Sequence, residues 1–301
     1  MKQWRIIFTG ASDAFFNMAL DEAILQAHED GDVIPSLRAY LWKPPGVSIG
    51  YFQATGNTVD LSKCKENNID VVRRITGGRT VLHENEITYS VCASIREYPE
   101  LGENVNETYQ KISFALLESL KALKIFGEWV KPHKDRIKMD STGSINLLQA
   151  GSLQLAGNSC LSKPCFISNS RYEITVAGKK LIGSAQRRFQ NSFIQHGSIP
   201  LGKGKVSLPH LLTEEINKKK MKEKLERKSA NLEEILKRKV ESKEVLFALK
   251  KGFGKFFDAE MIESEPSKRE IETAQVLREE KYSTEEWNFR RRTYQPKKVG
   301  S

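Results

Sequence analysis

The sequence predicts a globular α/β protein in which short strands alternate with helices and a helix-rich region follows. Three observations support this fold class. Residues 87–95 alternate apolar and polar side chains, as a strand does, and residues 13–28 carry apolar side chains at helical spacing. Hydrophobic residues make up 39% of the 301 residues, which is enough to build a core.

The N-terminal part contains one helix and several short strands. In the helix at 13–28, Phe16, Leu20, Ala23 and Ala27 share one face, and Ser12 is placed to cap its start. Proline, glycine and polar residues then separate three β-type runs at 36–42, 46–52 and 70–74.

The middle of the chain adds a strand, a helix and an irregular segment. Residues 87–95 predict a half-buried strand with Cys92 on the face opposite the aliphatic side chains. A helix follows at 105–123. The segment 131–163 has little periodicity, and a loop of this length inside a compact domain is usually functional or mobile.

The stretch 171–188 predicts a hairpin, because apolar residues alternate before Ala177-Gly178, which form the turn. A further strand is expected at 192–201. Beyond residue 211 the chain is helical and charged, and it ends in a basic tail. We therefore predict one domain at 1–210 and a helical, basic C-terminal region at 211–301.

Charge and cysteine content restrict the class of protein. The chain has 48 Lys+Arg against 38 Asp+Glu, a net charge of +10 that favours acidic partners. Much of the excess lies at 216–244, where lysines and glutamates alternate at helical spacing; this favours a solvated helix face over a nucleic-acid interface. Without an apolar run of roughly 18 residues or a signal-like N-terminus, we expect a cytoplasmic protein without a membrane segment. The four cysteines match no metal or redox spacing, and we expect free thiols.

The first candidate site is the loop in "RRITGGRTVLH", residues 73–83. Gly77-Gly78 permit positive φ and close approach of the backbone to a carbonyl, carboxylate or phosphate. Arg73 and Arg74 point to opposite faces if the strand continues. An ordinary glycine turn with surface arginines is the alternative, and the spacing is neither a P-loop nor a GxGxxG motif.

The second candidate site pairs Cys165 with Lys180, fifteen residues later. A strand and a hairpin of this length can bring the two side chains to one sheet edge, where an ammonium group stabilises a nucleophilic thiolate. Lys179 points to the opposite face. Alternatively, Cys165 is a small buried hydrophobe.

Two histidines are candidate acids or bases. His196 lies in "QHGSI" and His83 follows "TVL", and either is equally interpretable as a structural residue. Neither has the spacing of a metal site.

In their order along the chain, several blocks resemble the lipoate-protein ligase and octanoyltransferase family, which is related to biotin protein ligases. These blocks are "NMALDEAIL", "PSLRAYLWKPPGVSIGYFQ", "VVRRITGGRTVLHENEITYSV", "CFISNSRYEITVAGKKLIGSAQRR", "QHGSI" and "EEKYSTEEWNF". The resemblance implies an α/β core with a mixed, largely antiparallel sheet flanked by helices, and a tunnel for a medium-chain acyl group. The catalytic domain is then the 1–210 stretch.

The resemblance also implies roles for individual residues. Cys165 and Lys180 correspond to the catalytic pair, and the acyl and carbonyl site maps onto Arg74, Thr76, Gly77, Gly78, His83, His196 and Gly197. Family ligases use ATP and a GGG loop, whereas family transferases use a cysteine. Here the loop reads Gly77-Gly78-Arg79 and a cysteine precedes the lysine hairpin, which favours a transferase without a cofactor or metal.

The expected reaction moves octanoyl from acyl carrier protein through a Cys165 thioester to a lysine of a lipoyl domain or of glycine cleavage H protein. Three alternatives stay open: an ATP-dependent lipoate ligase, an amidotransferase between lipoyl domains, and a non-catalytic binder of acyl proteins or nucleic acid. Cys160 competes with Cys165 as nucleophile, and either His83 or His196 would take the amine's proton. We expect a monomer.

Overall fold

The computed structural model describes residues 2–31, 33–54, 58–130, 135–139, 145–149, 173–213 and 218–290. Strands β1 to β13 are Lys2–Ser12, Ser36–Trp42, Gly46–Ile49, Asp70–Arg73, Val81–His83, Glu86–Ser94, Glu128–Val130, Asp135–Met139, Ile145–Gln149, Glu173–Val176, Lys179–Arg188, Ser192–Pro200 and Ala259–Glu263. Helices α1 to α8 are Ala14–Glu29, Leu61–Glu66, Val105–Ala122, Lys218–Lys228, Leu232–Leu236, Ser242–Phe257, Lys268–Leu277 and Glu285–Asn288.

Most of the strands form one ten-stranded sheet with the order β13-β1-β2-β6-β12-β11-β10-β7-β8-β9. Strand β1 runs parallel to both neighbours, and the described pairings from β2 through to β9 are antiparallel. A second, three-stranded sheet has the order β4-β3-β5. The predicted mixed, largely antiparallel sheet flanked by helices is confirmed.

The large sheet is covered on both faces. On one face, Tyr89 and Val91 of β6 pack with apolar residues of α3 and α6. On the other, Cys92 packs against apolar residues of α1 and α7. Strand β6 is therefore buried along its whole length, and the prediction of a half-buried strand was wrong because α1 covers its second face.

Two local predictions also need correction. The side chain of Asp13, not of Ser12, caps α1 by accepting a 2.8 Å hydrogen bond from the backbone N–H of Phe16. Within the segment expected to be irregular, 131–163, strands β8 and β9 pair and extend the sheet beyond β7. The remainder of that segment lies outside the described residues.

The C-terminal region contributes a strand that the sequence did not reveal. Strand β13 pairs in parallel with β1, while α6 packs on α3 and α7 packs on α1. The division at residue 210 stays a prediction, and the two stretches share one sheet. Among the described helices, none has the length and apolarity required to cross a bilayer.

Candidate functional site

Arg73 and Arg74, at the end of β4, form hydrogen bonds with different parts of the chain. The Arg73 guanidinium donates to the backbone carbonyls of Gly50, Tyr51 and Gln53, and also to those of Trp287 and Asn288. It is fully buried. Arg73 therefore ties the loop after β3 to α8, and the predicted opposite orientation of the two arginines is confirmed.

Arg74 points the other way and holds the glycine loop. Its guanidinium donates to the carbonyl and hydroxyl oxygens of Ser48 and to the carbonyl oxygens of Gly77 and Arg79, at 2.8–3.2 Å. Gly78 has φ +95°, and a Cβ there would lie 2.7 Å from Arg74 Nη2. Since those five bonds match the five N–H donors of a guanidinium, Arg74 shapes the loop.

A cavity of about 200 Å³ opens beside this loop. Its lining residues are Met18, Tyr40, Trp42, Ser48, Arg74, Gly78, Arg79, Val81, His83, Thr88, Gly183, Ser184, Ala185, His196, Gly197 and Ser198. An apolar cavity of about 150 Å³ holds one benzene molecule. The volume here is therefore large enough for a small ligand with a short apolar part.

The charges of the cavity wall are one-sided. The charged residues that line the cavity are Arg74 and Arg79, and no carboxylate is found among its described lining residues. The acidic groups instead lie behind the histidines, as the next two contacts show. The cavity thus combines apolar side chains with an electropositive region that favours a ligand oxygen with negative charge.

His196 is held between Asp21 and Thr76. Its Nδ1 lies 3.2 Å from Asp21 Oδ2, and its Nε2 lies 2.6 Å from Thr76 Oγ1. The pKa of Asp21 is below its usual value. Burial alone would raise this pKa, but the charge of Arg38 and the hydrogen bond to His196 outweigh the effect of burial. Because an ionised carboxylate only accepts, we assign the His196 proton to Nδ1, and Nε2 then accepts from the Thr76 hydroxyl.

The protonation state of His196 follows from its surroundings. Burial lowers its pKa below the usual 6.5, although Asp21 opposes this effect. The ring is therefore neutral at pH 7, with a lone pair on Nε2. Asp21 itself is fixed by Arg38 Nη1 at 2.7 Å and by the Tyr40 hydroxyl at 2.9 Å.

His83, a second lining residue of the cavity, is held in a similar chain of hydrogen bonds. Its Nδ1 lies 2.8 Å from Glu86 Oε1, and its Nε2 lies 2.7 Å from Ser48 Oγ. The ring stacks on Trp42, with centroids 4.0 Å apart and planes at 7°. Glu86 also accepts from the hydroxyls of Thr88 and Ser198, which fixes its position.

Gly197 is required by close packing between strands. A Cβ at this position would lie 2.6 Å from Tyr89 Cε1 and 2.7 Å from both Gly183 O and Ser184 Oγ. No side chain fits there without displacement of β11. Gly197 therefore keeps the β11–β12 wall of the cavity in place.

Lys180 is near the cavity but is not one of its lining residues. It is only 4% exposed, lies three residues before Gly183 on β11, and its Nζ donates to Glu173 Oε1 at 2.8 Å. Lys179, the neighbouring residue, is exposed. Cys165 and its competitor Cys160 both lie outside the described residues.

The two described cysteines are poor nucleophiles. Burial, with a contribution from Asp60, raises the pKa of Cys64 to about 11. Burial also raises the pKa of Cys92 well above its usual range. Both are free thiols, as expected, and both are buried.

The structure thus brings most of the predicted site residues together. Arg74, Gly78, His83, His196 and Gly197 line one cavity, and Thr76 and Gly77 contact it through hydrogen bonds to His196 and Arg74. Sequence reasoning missed Asp21, Arg38, Ser48 and Glu86. One signal existed for Asp21: it is a charged residue among the buried positions of α1.

The fold and the cavity define an enzyme-like site, in which apolar side chains and two arginines line one cavity. Residues 13–254 match the lipoyl protein ligase A/B catalytic domain, and the chain belongs to that family. It is 37% identical to octanoyltransferase LipM of Brevibacillus brevis, over 97% of this chain and 100% of the relative. It is 38% identical to octanoyltransferase LipM of Kyrpidia tusciae, again over 97% and 100%.

Solved structures resemble the fold. A bipartite lipoate protein ligase of Thermoplasma acidophilum matches with a TM-score of 0.73 at 22% identity, over 98% of this chain and 99% of the other. A lipoate-protein ligase A crystallised with ATP matches with a TM-score of 0.71 at 24% identity, over 96% and 99%. The predicted family is confirmed, and so is the prediction of an octanoyltransferase of protein lipoylation.

Proposed function

We propose that the chain takes an octanoyl group from acyl carrier protein onto Cys165 and passes it to a lysine of a lipoyl domain or of glycine cleavage H protein. The observation that carries this proposal is the cavity of about 200 Å³, which has apolar walls and no described carboxylate in its lining. It has the volume for a medium chain and the polarity for one acyl carbonyl.

In the first step the Cys165 thiolate attacks the carbonyl carbon of the octanoyl thioester. A new C–S bond forms while the carbonyl electrons move to oxygen, and these electrons then return as the old C–S bond breaks and the carrier leaves as a thiolate. The Lys180 ammonium stabilises the thiolate, and Glu173 fixes that ammonium on β11. Thioester exchange is nearly balanced in free energy, so this step needs no ATP.

In the second step the amine of the acceptor lysine attacks the Cys165 thioester. A C–N bond forms, the C–S bond breaks, and one proton leaves the amine. The product is an amide, which is more stable than a thioester and makes the step favourable. His196 is our choice for the base, because its ring is neutral, lines the cavity and is oriented by Asp21. Its Nε2 accepts from the Thr76 hydroxyl, so that hydroxyl gives its proton to Nε2 as it takes the proton of the amine.

The remaining site residues shape the acyl site. Arg74, Gly77 and Gly78 hold the loop, Thr76 orients His196, and Gly197 positions β11 against β12. His83 stacks on Trp42, and both residues line the cavity. These roles follow from hydrogen bonds and close contacts rather than from direct bonds to substrate.

Both protein substrates are expected to be acidic, and the charge of the chain suits them. Helix α4, "KKKMKEKLERK", has seven basic and two acidic residues and no buried side chain. The Ala230 N–H, just beyond this helix, donates to the Lys180 carbonyl at 2.8 Å. A basic helix that ends beside Lys180 would speed the encounter with acidic partners through electrostatic steering.

The experiment is intact-protein mass spectrometry after mixing the chain with octanoyl-acyl carrier protein in the absence of ATP. Cys165→Ala and Cys160→Ala are run in parallel. We expect one octanoyl adduct that hydroxylamine removes, that Cys160→Ala keeps and that Cys165→Ala lacks. Adding a lipoyl domain should then move the octanoyl group to its lysine.

Two results would refute the proposal. An adduct that persists in Cys165→Ala but is lost in Cys160→Ala would move the nucleophile to Cys160. No adduct at all, with acceptor modification only when ATP and free octanoate are supplied, would assign the chain to the ATP-dependent ligases.

A further inference from the structure

Arg79 differs from the other charged groups of the cavity because one of its donors is unused. Arg79 is a lining residue of the cavity, and its Nη1 is buried without a hydrogen-bond partner among the described residues. Its backbone is fixed, since its carbonyl oxygen accepts from Arg74 Nη2 at 2.8 Å. The left-handed conformation of Gly78 immediately before it sets the direction in which the chain leaves the loop.

An unpaired guanidinium N–H in a buried position is unfavourable. Burial removes the donor from bulk water, and no oxygen of the described residues accepts from it. Such a group is retained when a ligand supplies the acceptor. The ligand must present an oxygen with full or partial negative charge, because a guanidinium only donates.

The other nitrogen-bearing side chains around the cavity already have hydrogen-bond partners. The five bonds from Arg74 go to oxygens of Ser48, Gly77 and Arg79. The Lys180 ammonium is paired with Glu173. Both ring nitrogens of His83 and of His196 have partners. In the described part of the cavity wall, Arg79 is thus the charged residue with a donor left for a ligand.

We propose that Arg79 Nη1–H donates to the oxygen of the bound acyl group. In the thioester that oxygen is a carbonyl. When a nucleophile attacks the carbonyl carbon, the π electrons move onto this oxygen, and Arg79 stabilises the resulting oxyanion until the C–S bond breaks. This role rests on the acyl transfer proposed above, but Arg79 acts on the acyl oxygen whichever cysteine is the nucleophile.

Binding of free octanoate tests Arg79 without any reaction. The carboxylate of sodium octanoate presents a charged oxygen at the position of the oxyanion, whereas 1-octanol has the same chain and no charge. Calorimetry should show that Arg79→Met weakens octanoate binding by about 10- to 100-fold, the value of one charge-assisted hydrogen bond. Octanol affinity should stay the same. The matched control is Arg96→Met, which removes an exposed arginine outside the cavity.

Transfer kinetics provide a second readout. Arg79→Met should lower kcat for thioester formation by about 10²- to 10³-fold, as loss of one oxyanion donor does in other acyl transferases and hydrolases. KM for the octanoyl donor should change little, since the interaction strengthens in the transition state. Arg79→Lys should recover part of the rate. Equal thermal midpoints in all variants establish that the fold is intact.

Octanoate binding that is equal in Arg79→Met and in the unaltered chain would overturn the assignment, and so would failure of octanoate to bind the unaltered chain. The same measurement in Cys165→Ala separates the two proposals. Octanoate binding that depends on Arg79 in that variant supports Arg79 even if the missing thioester has already refuted Cys165.

Discussion

The buried imidazole of His28 should make the chain less stable in mild acid. His28 lies in the last turn of α1, is fully buried and contacts Ser36 Oγ through Nε2 at 3.0 Å. Burial, assisted by the charge of Arg5 and opposed by Glu270, lowers its pKa from 6.5 to about 3. The ring therefore stays neutral in the folded chain long after it would be protonated in the unfolded chain.

The sign and the size follow from this difference. Between pH 6.5 and about pH 3 the unfolded state binds one more proton than the folded state, so the free energy of unfolding falls as the pH falls. At pH 5 the unfolded ring is about 97% protonated, which corresponds to a loss of about 2 kcal/mol relative to pH 8. Any folded pKa below about 4 gives nearly the same loss at pH 5.

The variant that isolates this effect is His28→Gln, because the glutamine amide does not titrate but can still form a hydrogen bond with Ser36. Urea unfolding of both chains at pH 8, 7, 6 and 5 gives the free energy of unfolding at each pH. Between pH 8 and pH 5 the unaltered chain should lose about 2 kcal/mol more than His28→Gln. Contributions from all other groups cancel in this difference.

The reasoning would be wrong if the two chains lost stability in parallel. A difference under about 0.5 kcal/mol between pH 8 and pH 5 would mean that the folded ring takes up a proton with a nearly ordinary pKa. A larger loss in His28→Gln than in the unaltered chain would reverse the sign and require a partner that stabilises the imidazolium.

Two further substitutions test the framework of the site. Asp21→Asn should lower the free energy of unfolding by about 3–5 kcal/mol, because it leaves the charge of Arg38 buried and unpaired. Urea unfolding measures this loss, with Asp30→Asn as the control because Asp30 is half-exposed. Equal losses in the two variants would contradict the prediction. Gly197→Ala should cost about 1–3 kcal/mol, since the new Cβ would lie 2.6 Å from Tyr89 Cε1. Thermal unfolding and octanoyl transfer measure that cost, and wild-type values in both would refute the packing argument.

Local patterns predicted much of the fold. The alternation before Ala177-Gly178 gave the hairpin, and both turn residues indeed have positive φ, 50° and 75°. The sequence did not indicate that β6 is buried on both faces. One face carries small polar residues and Cys92, a pattern typical of a solvent-exposed face, and only the structure shows that α1 packs over it. Strand β13 was missed for a similar reason: its five residues, "AEMIE", gain their strand conformation from pairing with β1.

The site was predicted through the loop and the histidines but not through the groups behind them. Asp21 and Glu86 come from different elements, and only the three-dimensional structure brings them to His196 and His83. Family resemblance supplied the lining residues. The resemblance did not indicate which groups form hydrogen bonds with each other. Only the structure shows that Arg74 donates to carbonyl oxygens of its own loop.

Some of the hydrogen bonds of Arg73 can form only near the end of protein synthesis. Its backbone and guanidinium bind Trp287 and Asn288, which follow it by 214 and 215 residues. At ordinary translation rates the ribosome needs about 10–40 s to synthesise that interval. During this time the nascent chain already contains β3, β4 and the glycine loop but lacks two of the carbonyls to which Arg73 donates, those of Trp287 and Asn288. The loop after β3 therefore gains its link to α8 late in synthesis. A chain that stops before residue 287 should contain every described lining residue of the cavity and still lack the contacts between Arg73 and α8.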